Sequence, residues 1–262
     1  MNFNKEYTEY WQAAISKSMD GLKIPGADEA AQLLKMAGIV ETDKILDLGC
    51  SYGRMYEVLS VYSKDVHGVD PDPFALEQAI IFKYTSLTKG TAECTGMLND
   101  TFNFIFSWQV FDVVDQLKGF FELNRILKDK GKILVTGKNY KYFEDDIYAF
   151  KAEKNAAIKN FPNHFTKLDV LKSNIEKLGF KIIKLLLFPR RGDFGLMKYY
   201  EADLGQEAFQ AYEYLIICEK YVTVKDLPDI SIDSLYSTTS DKIAKEKGFN
   251  SALALFESIG ID

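Results

Sequence analysis

Two aspartates, each at the end of a short apolar segment, have the spacing that most clearly indicates chemistry. Asp47 precedes a turn that contains Gly49 and Gly53, and Asp70 ends the next apolar segment along the chain. Glycine has no Cβ, so a ligand can approach such a turn closely, and a carboxylate after the second strand can accept hydrogen bonds from both hydroxyls of a ribose. The G-x-G-x-x-G spacing is absent and Asp47 would crowd a pyrophosphate. The pattern therefore favours an adenosyl ligand with a zwitterionic tail over a dinucleotide.

A second group of candidates could serve a second substrate. His164 lies in a non-periodic aromatic segment and is predicted to be a general base, with a polar loop anchor as the alternative. Asp112 and Asp115 are weaker candidates for the base that also fit helix starts. Arg190 and Arg191 form a compact basic pair beside a glycine-containing loop. They are predicted to hold a phosphoryl or carboxylate group, and a solvated charged turn is the alternative.

An alternating framework is needed to bring these residues together. Strand-like apolar segments occur at 44–48, 66–70, 88–92, 103–107, 132–136, 181–188 and 212–218, and helical patterns occur at 54–62, 73–82, 116–127 and 167–178. The repeated β-α-β order predicts an α/β fold with parallel strands and right-handed crossovers. In such a sheet, ligands bind at the carboxyl edge, where both aspartates would lie.

Three regions are expected along the chain. Residues 1–43 form an N-terminal helical cap, residues 44–220 form the main domain with insertions at 138–165 and 189–211, and residues 221–262 form a helical tail. In the cap, Tyr7, Tyr10 and Trp11 recur at helical spacing, so Tyr10 and its neighbours could cover the bound ligands as a lid or could simply pack. The tail, with short helices expected near 241–247 and 251–259, could mediate a homodimer or cover the core.

Composition limits the possible partners. The formal net charge of -6 over 262 residues disfavours long nucleic acids, because the phosphate backbone is repelled. The three cysteines form no CxxC pattern, so neither a disulfide framework nor a zinc site is indicated, and a cytoplasmic location is expected. No metal site is predicted, because no cluster of His and acidic residues has suitable spacing. No signal peptide or membrane-spanning segment is expected.

Five segments in order resemble class I S-adenosylmethionine-dependent methyltransferases: Ile45–Gly53, Gly68–Asp72, Gly90–Glu93, Phe102–Gln109 and Leu123–Thr136. Together they cover about a third of the chain. The resemblance implies a Rossmann-like, doubly wound sheet of seven mostly parallel strands. It also implies that S-adenosylmethionine is the methyl donor and that S-adenosylhomocysteine is the product.

The same resemblance implies a set of cofactor-binding residues. Those near the methionine part are Asp47, Gly49, Cys50, Gly53, Ser107 and Gln109, those near the adenosine part are Asp70, Pro71, Ala92 and Glu93, and Ser51 stands where many relatives have a second glycine. Family members often carry an acid at the position of Thr91. This departure leaves the contact to the adenine amino group open between Thr91 and Glu93.

Residues 138–211 further resemble bacterial small-molecule methyltransferases associated with surface-polysaccharide synthesis. This second resemblance implies methyl transfer to an oxygen of a sugar or phosphoryl acceptor, such as a nucleotide-linked sugar. One alternative is a small-molecule N-methyltransferase, although the N/D-P-P-Y signature for base and amide nitrogens is missing. Another alternative is a non-catalytic protein that binds S-adenosylmethionine as a sensor or partner subunit.

Overall fold

The computed structural model describes residues 5–19, 26–41 and 44–238, together with the single positions 248, 254, 257, 258 and 260. The strands are β1 (Ile45–Leu48), β2 (Val66–Asp70), β3 (Ser86–Lys89), β4 (Phe102–Ser107), β5 (Leu127–Asn139), β6 (His164–Thr166), β7 (Phe180–Phe188), β8 (Tyr200–Glu201), β9 (Glu213–Lys220) and β10 (Tyr236–Thr238). The helices are α1 (Lys5–Met19), α2 (Ala27–Ala37), α3 (Tyr56–Leu59), α4 (Pro73–Ala79), α5 (Gln116–Ile126), α6 (Ile147–Ile158), α7 (Leu168–Asn174) and α8 (Ile232–Leu235), with a 3₁₀ turn at Phe194–Leu196.

One sheet organises the described residues, in the order β3-β2-β1-β4-β5-β9-β7-β8. The first five strands are parallel, and β9 lies antiparallel between β5 and β7. The predicted Rossmann-like, mostly parallel α/β sheet is confirmed. The sheet has ten strands within the described residues instead of the predicted seven. The three additional strands are β8, which extends the edge beyond β7, β6, which pairs with the end of β5, and β10, which pairs with β6.

The strands form a sheet with helices on both faces because their side chains alternate between two cores. Leu46 and Ile105 pack on one face with Phe120 of α5, in a cluster that also holds the buried side chains of α7. Ile45 and Phe106 pack on the other face with buried residues of α2 and α3. All four residues of β1 are buried, which explains why its sequence is apolar apart from Asp47.

Two local predictions differ from the structure. The helix expected at 54–62 is shorter in the structure, where it is α3 (Tyr56–Leu59). It begins late because Ser51 (φ 50°) and Gly53 (φ 85°) hold the residues before it in a turn. The segment 138–165, predicted to contain no clear strand, holds α6 and the start of β6, and Phe165 packs in a third apolar cluster with Tyr142 and Tyr212. The helices predicted near 241–247 and 251–259 lie outside the described residues, apart from the single positions named above. The three-region division stays a prediction.

Candidate functional site

A cavity of about 230 Å³ opens at the carboxyl edge of the sheet, between the ends of β1, β2 and β4 and helix α1. Seven of the predicted cofactor-binding residues line it: Gly49, Ser51, Asp70, Pro71, Ala92, Glu93 and Gln109. The remaining predicted site residues, Asp47, Cys50, Gly53, Ser107, His164, Tyr10, Arg190 and Arg191, lie outside this lining. The seven residues meet at one cavity because the parallel strands that precede them end at the same edge of the sheet.

The turn after β1 holds its shape through backbone contacts. The N–H groups of Gly49 and Cys50 both donate to the Val69 carbonyl, at 2.8 and 3.1 Å. Gly49 has a φ of +73°, and a Cβ on this residue would lie 2.3 Å from Cγ2 of Val110. Only glycine fits this backbone conformation without moving Val110, and its small size leaves the turn open to a ligand.

Asp70 anchors the second strand end to the turn. Its carboxylate accepts hydrogen bonds from the backbone N–H groups of Ser51 and Asp72, both at 2.9 Å. Burial raises the pKa of Asp70 to about 6, against the lowering effect of these two hydrogen bonds. Each carboxylate oxygen can accept a further hydrogen bond, so the arrangement fits the two hydroxyls of a ribose.

Asp47 lies behind the cavity instead of in its lining. The hydroxyl of Tyr84 donates to Asp47 Oδ2 at 2.7 Å, and burial raises the pKa of this carboxyl group to about 7. Arg54 does line the cavity, and its Nη2 donates to Oε1 of Gln109 at 3.0 Å. Sequence reasoning missed Arg54, although a cation directly after the glycine turn is the signal that an amino-acid carboxylate could be held there.

Glu93 supplies an unused acceptor at the other end of the cavity. Its Oε1 accepts the backbone N–H of Asp115 at 2.9 Å. Its Oε2 is buried and has no hydrogen-bond partner among the described residues. Thr91 exchanges backbone hydrogen bonds with Cys94 at 3.0 and 3.1 Å. A buried acceptor of this kind fits a ligand with an N–H donor, such as the amino group of adenine.

Three predicted residues shape the site from behind its surface. Cys50 Sγ packs against Gly68, where an added Cβ would approach it to 2.8 Å, and Gly53 (φ +85°) packs against Phe82. Ser107 ends β4, and its Oγ is buried without a hydrogen-bond partner among the described residues. Direct contacts of these residues with a cofactor stay predictions.

Helix α1 covers the cavity on its open side. Tyr7 and Trp11 line the cavity, and Nε2 of Gln12 lies 3.3 Å from both carboxylate oxygens of Asp72. Tyr10 instead is exposed, packs against Phe161 at 5.3 Å between ring centroids and has Lys159 Nζ 4.9 Å from its ring. Polar and aromatic contacts thus hold α1 against the cavity, and its role as a lid stays a prediction.

His164, the predicted base, begins β6 and is buried. Its Nδ1 donates to the Val114 carbonyl at 2.9 Å, and its ring stacks on Tyr236 at 4.7 Å. Burial lowers the pKa of His164. The ring therefore lies behind Val114, which lines the cavity, and the catalytic role of His164 stays a prediction.

The predicted arginine pair lies apart from the cavity. Arg190 hydrogen-bonds both carboxylate oxygens of Asp145, at 2.5 and 3.1 Å. The backbone N–H of Arg191 donates to Asp146 Oδ2 at 2.7 Å, and its guanidinium lies 3.4 Å from the Tyr212 hydroxyl. Arg190 is already charge-compensated, whereas Arg191 forms no salt bridge with any described side chain.

Comparison with known proteins places these features in a family context. Residues 46–135 match the family model described as a methyltransferase domain. A structure described as an S-adenosylmethionine-dependent methyltransferase, possible histamine N-methyltransferase, from Thermotoga maritima is 18% identical, with a TM-score of 0.58 over 82% of this chain and 99% of its own. An S-adenosylmethionine-dependent methyltransferase from Mesorhizobium loti is 16% identical, with a TM-score of 0.57 over 76% of this chain and 100% of its own.

A further structural neighbour is a putative methyltransferase from Haloferax volcanii, solved in complex with a methyltransferase activator. It is 14% identical, with a TM-score of 0.59 over 83% of this chain and 97% of its own. A search of curated proteins finds no match. Among the described residues, no group of His, Cys, Asp or Glu is placed to hold a metal ion, and no helix has the length and apolarity to cross a membrane.

The matched domain identifies the chemistry of this chain, and the cavity fits the cofactor. The protein is an S-adenosylmethionine-dependent methyltransferase, with S-adenosylhomocysteine as its product. The bound cofactor supplies an electrophilic methyl group. The residues that line the cavity would hold its ribose at Asp70 and exclude water beneath α1.

Proposed function

We propose that this methyltransferase acts on a small molecule and methylates an oxygen atom, with a sugar or phosphoryl precursor of surface polysaccharide as the acceptor class. The observation that carries the small-molecule assignment is helix α1. Its residues Tyr7, Trp11 and Ile15 line the cavity, and Gln12 hydrogen-bonds to Asp72. A helix in this place leaves room for a small acceptor but obstructs a nucleic acid, which the net charge of -6 also disfavours.

The phosphoryl part of the proposal is supported by Arg191. Arginine holds phosphate through paired N–H donors, and Arg191 is not neutralised by any described carboxylate, unlike Arg190. Burial also raises the pKa of the neighbouring Glu213 to about 7, so this carboxyl group is partly neutral near pH 7 and competes weakly for the guanidinium. The homodimer and the cytoplasmic location remain predictions of the sequence.

A small amine is the second candidate acceptor. Asp112 has a buried carboxylate oxygen without a hydrogen-bond partner among the described residues, and carboxylates bind ammonium groups. The Thermotoga maritima neighbour is described as a possible histamine N-methyltransferase, which makes amines a necessary part of any substrate screen.

The experiment has two stages. Calorimetry with S-adenosylmethionine and S-adenosylhomocysteine measures cofactor binding. Mass spectrometry then measures methyl transfer to three sets of compounds: nucleotide-linked sugars, sugar phosphates and small primary or secondary amines. We expect binding of both cofactor forms and product from a sugar or phosphorylated compound. Product from amines alone would replace the O-methylation proposal with the second candidate, and absence of cofactor binding would refute both.

A further inference from the structure

A polar cluster that the cofactor does not explain lies at the carboxyl end of β5. Lys138 of β5 faces Glu213 of β9 in the antiparallel register. Lys138 Nζ lies 2.8 Å from Asp112 Oδ2 and donates to Asn163 Oδ1 at 2.5 Å. Four segments that are far apart in sequence therefore bring three charged side chains and one amide together, mostly away from solvent.

Within this cluster, Asp112 is only half used. Its Oδ2 is paired with Lys138, whereas its Oδ1 is buried and has no hydrogen-bond partner among the described residues. An ionised carboxylate offers about four acceptor sites, and a buried polar oxygen without a partner requires an explanation in a native fold. A hydrogen-bond donor supplied by a substrate is such an explanation.

Asp112 is not part of the cavity lining, but its neighbours in the chain are. Val110 and Val113, on either side of it in sequence, line that cavity, as does Tyr7. Burial raises the pKa of Tyr7, and the negative charges of Asp112 and Asp70 raise it further. The Tyr7 side chain is therefore within electrostatic reach of both carboxylates, one at the ribose position and one at the cluster. The backbone N–H of His164 donates to the Asp112 carbonyl at 2.7 Å and fixes this loop.

We propose that Asp112 binds the hydroxyl group that is methylated and takes up its proton, and that Lys138 acts through this carboxylate by compensating part of its charge. This assignment rests on the proposed function. In the reaction, the oxygen–methyl bond forms as the methyl–sulfur bond breaks, the electron pair of that bond stays on sulfur, and the hydroxyl proton passes to Asp112. His164, predicted to be the base, would then instead support the Asp112 loop, which is the alternative role of a polar loop anchor.

The test uses a probe that requires no acceptor. Sinefungin is an analogue of S-adenosylmethionine that carries an amino group in place of the transferable methyl. The ammonium group at that position would meet Asp112, whereas S-adenosylhomocysteine has no ammonium group there. Calorimetry gives the ratio of the two dissociation constants. We expect the wild-type protein to prefer sinefungin, and Asp112→Asn to reduce this preference by about tenfold, because a charge-assisted hydrogen bond is lost.

A second variant reverses the sign of the effect. Lys138→Met removes the cation that competes for Asp112, so the preference for sinefungin should increase. Asp115→Asn is the matched control, because Asp115 lies on the same loop but caps α5 through the Lys118 N–H at 3.2 Å, and the ratio should stay unchanged. Near-ultraviolet circular dichroism and the affinity for S-adenosylhomocysteine show whether each variant is folded.

The outcomes separate the two proposals. An unchanged ratio in Asp112→Asn, or a shift in the same direction in both variants, would overturn the role of Asp112 while cofactor binding stands. If the wild-type protein binds neither compound, the proposed function fails, and the role of Asp112 fails with it.

Discussion

Recognition of the adenine amino group by Glu93 can be tested by replacing one atom of the Glu93 side chain and one group of the ligand. In Glu93→Gln, the side-chain carbonyl can keep the hydrogen bond from the Asp115 backbone N–H. The amide nitrogen then occupies the place of Oε2, the oxygen that has no partner among the described residues. Two donors would face each other, so S-adenosylhomocysteine should lose a charge-assisted hydrogen bond worth about 1.5–3 kcal/mol, or roughly 10- to 150-fold in affinity.

The assay compares S-adenosylhomocysteine with its inosyl analogue, in which a carbonyl oxygen replaces the amino group. The wild-type protein should prefer the adenosyl compound by calorimetry, and Glu93→Gln should remove or reverse this preference, because its amide can donate to the carbonyl. Thr91→Val is the control for the other position left open by the sequence. Equal losses of affinity for both ligands in Glu93→Gln would refute the reasoning. Loss of the preference for the adenosyl compound in Thr91→Val would assign the contact with the adenine amino group to Thr91.

Two further predictions concern stability, and a third concerns cofactor binding. Because the folded state raises the pKa of Asp70 from 3.8 to about 6, it keeps a proton that the unfolded chain loses, so the free energy of unfolding should fall by roughly 2 kcal/mol as pH rises from 4 to 6. Urea unfolding of ligand-free Asp70→Asn should lack this part of the slope, and parallel curves for the two proteins would contradict the prediction. His164→Gln should lose about 1–3 kcal/mol of unfolding free energy through its buried hydrogen bond; a variant of native stability that binds cofactor but transfers no methyl group would instead support the predicted base. Gly49→Ala should abolish cofactor binding through its clash with Val110, and the added change Val110→Ala should recover part of the affinity measured by calorimetry.

The order of the strands and helices could be predicted because most of these elements show their pattern within their own segment of the sequence. Strands β1, β2 and β4 are short, mostly apolar runs, and helices α4 and α5 show a helical pattern, so their order and connectivity follow from the sequence. Strand β3 (Ser86–Lys89) is not an apolar run, and it begins two residues before the predicted segment 88–92. The turn at Ser51 was harder to predict, because a non-glycine residue with positive φ has no local signal. Helix α3 therefore begins later than its pattern indicates.

The site could be predicted only where it follows directly from a strand end. Asp70 and Gly49 lie in the cavity lining for this reason. Asp112, Lys138 and Glu213 come from separate elements, and their meeting depends on the register of β5 with β9 and on the loop before α5. No pattern within one segment encodes such a contact, so the sequence could name Asp112 only as a weak candidate.

Helix α1 has a consequence for the timing of the reaction cycle. Because Tyr7 and Trp11 form part of the cavity lining and Gln12 holds the helix to Asp72, a cofactor enclosed there exchanges only as fast as α1 undocks. The residence time of S-adenosylhomocysteine then sets the upper limit of turnover. A viscous solvent, which slows helix undocking but not bond making, should therefore slow steady-state turnover more than it slows a single methyl transfer.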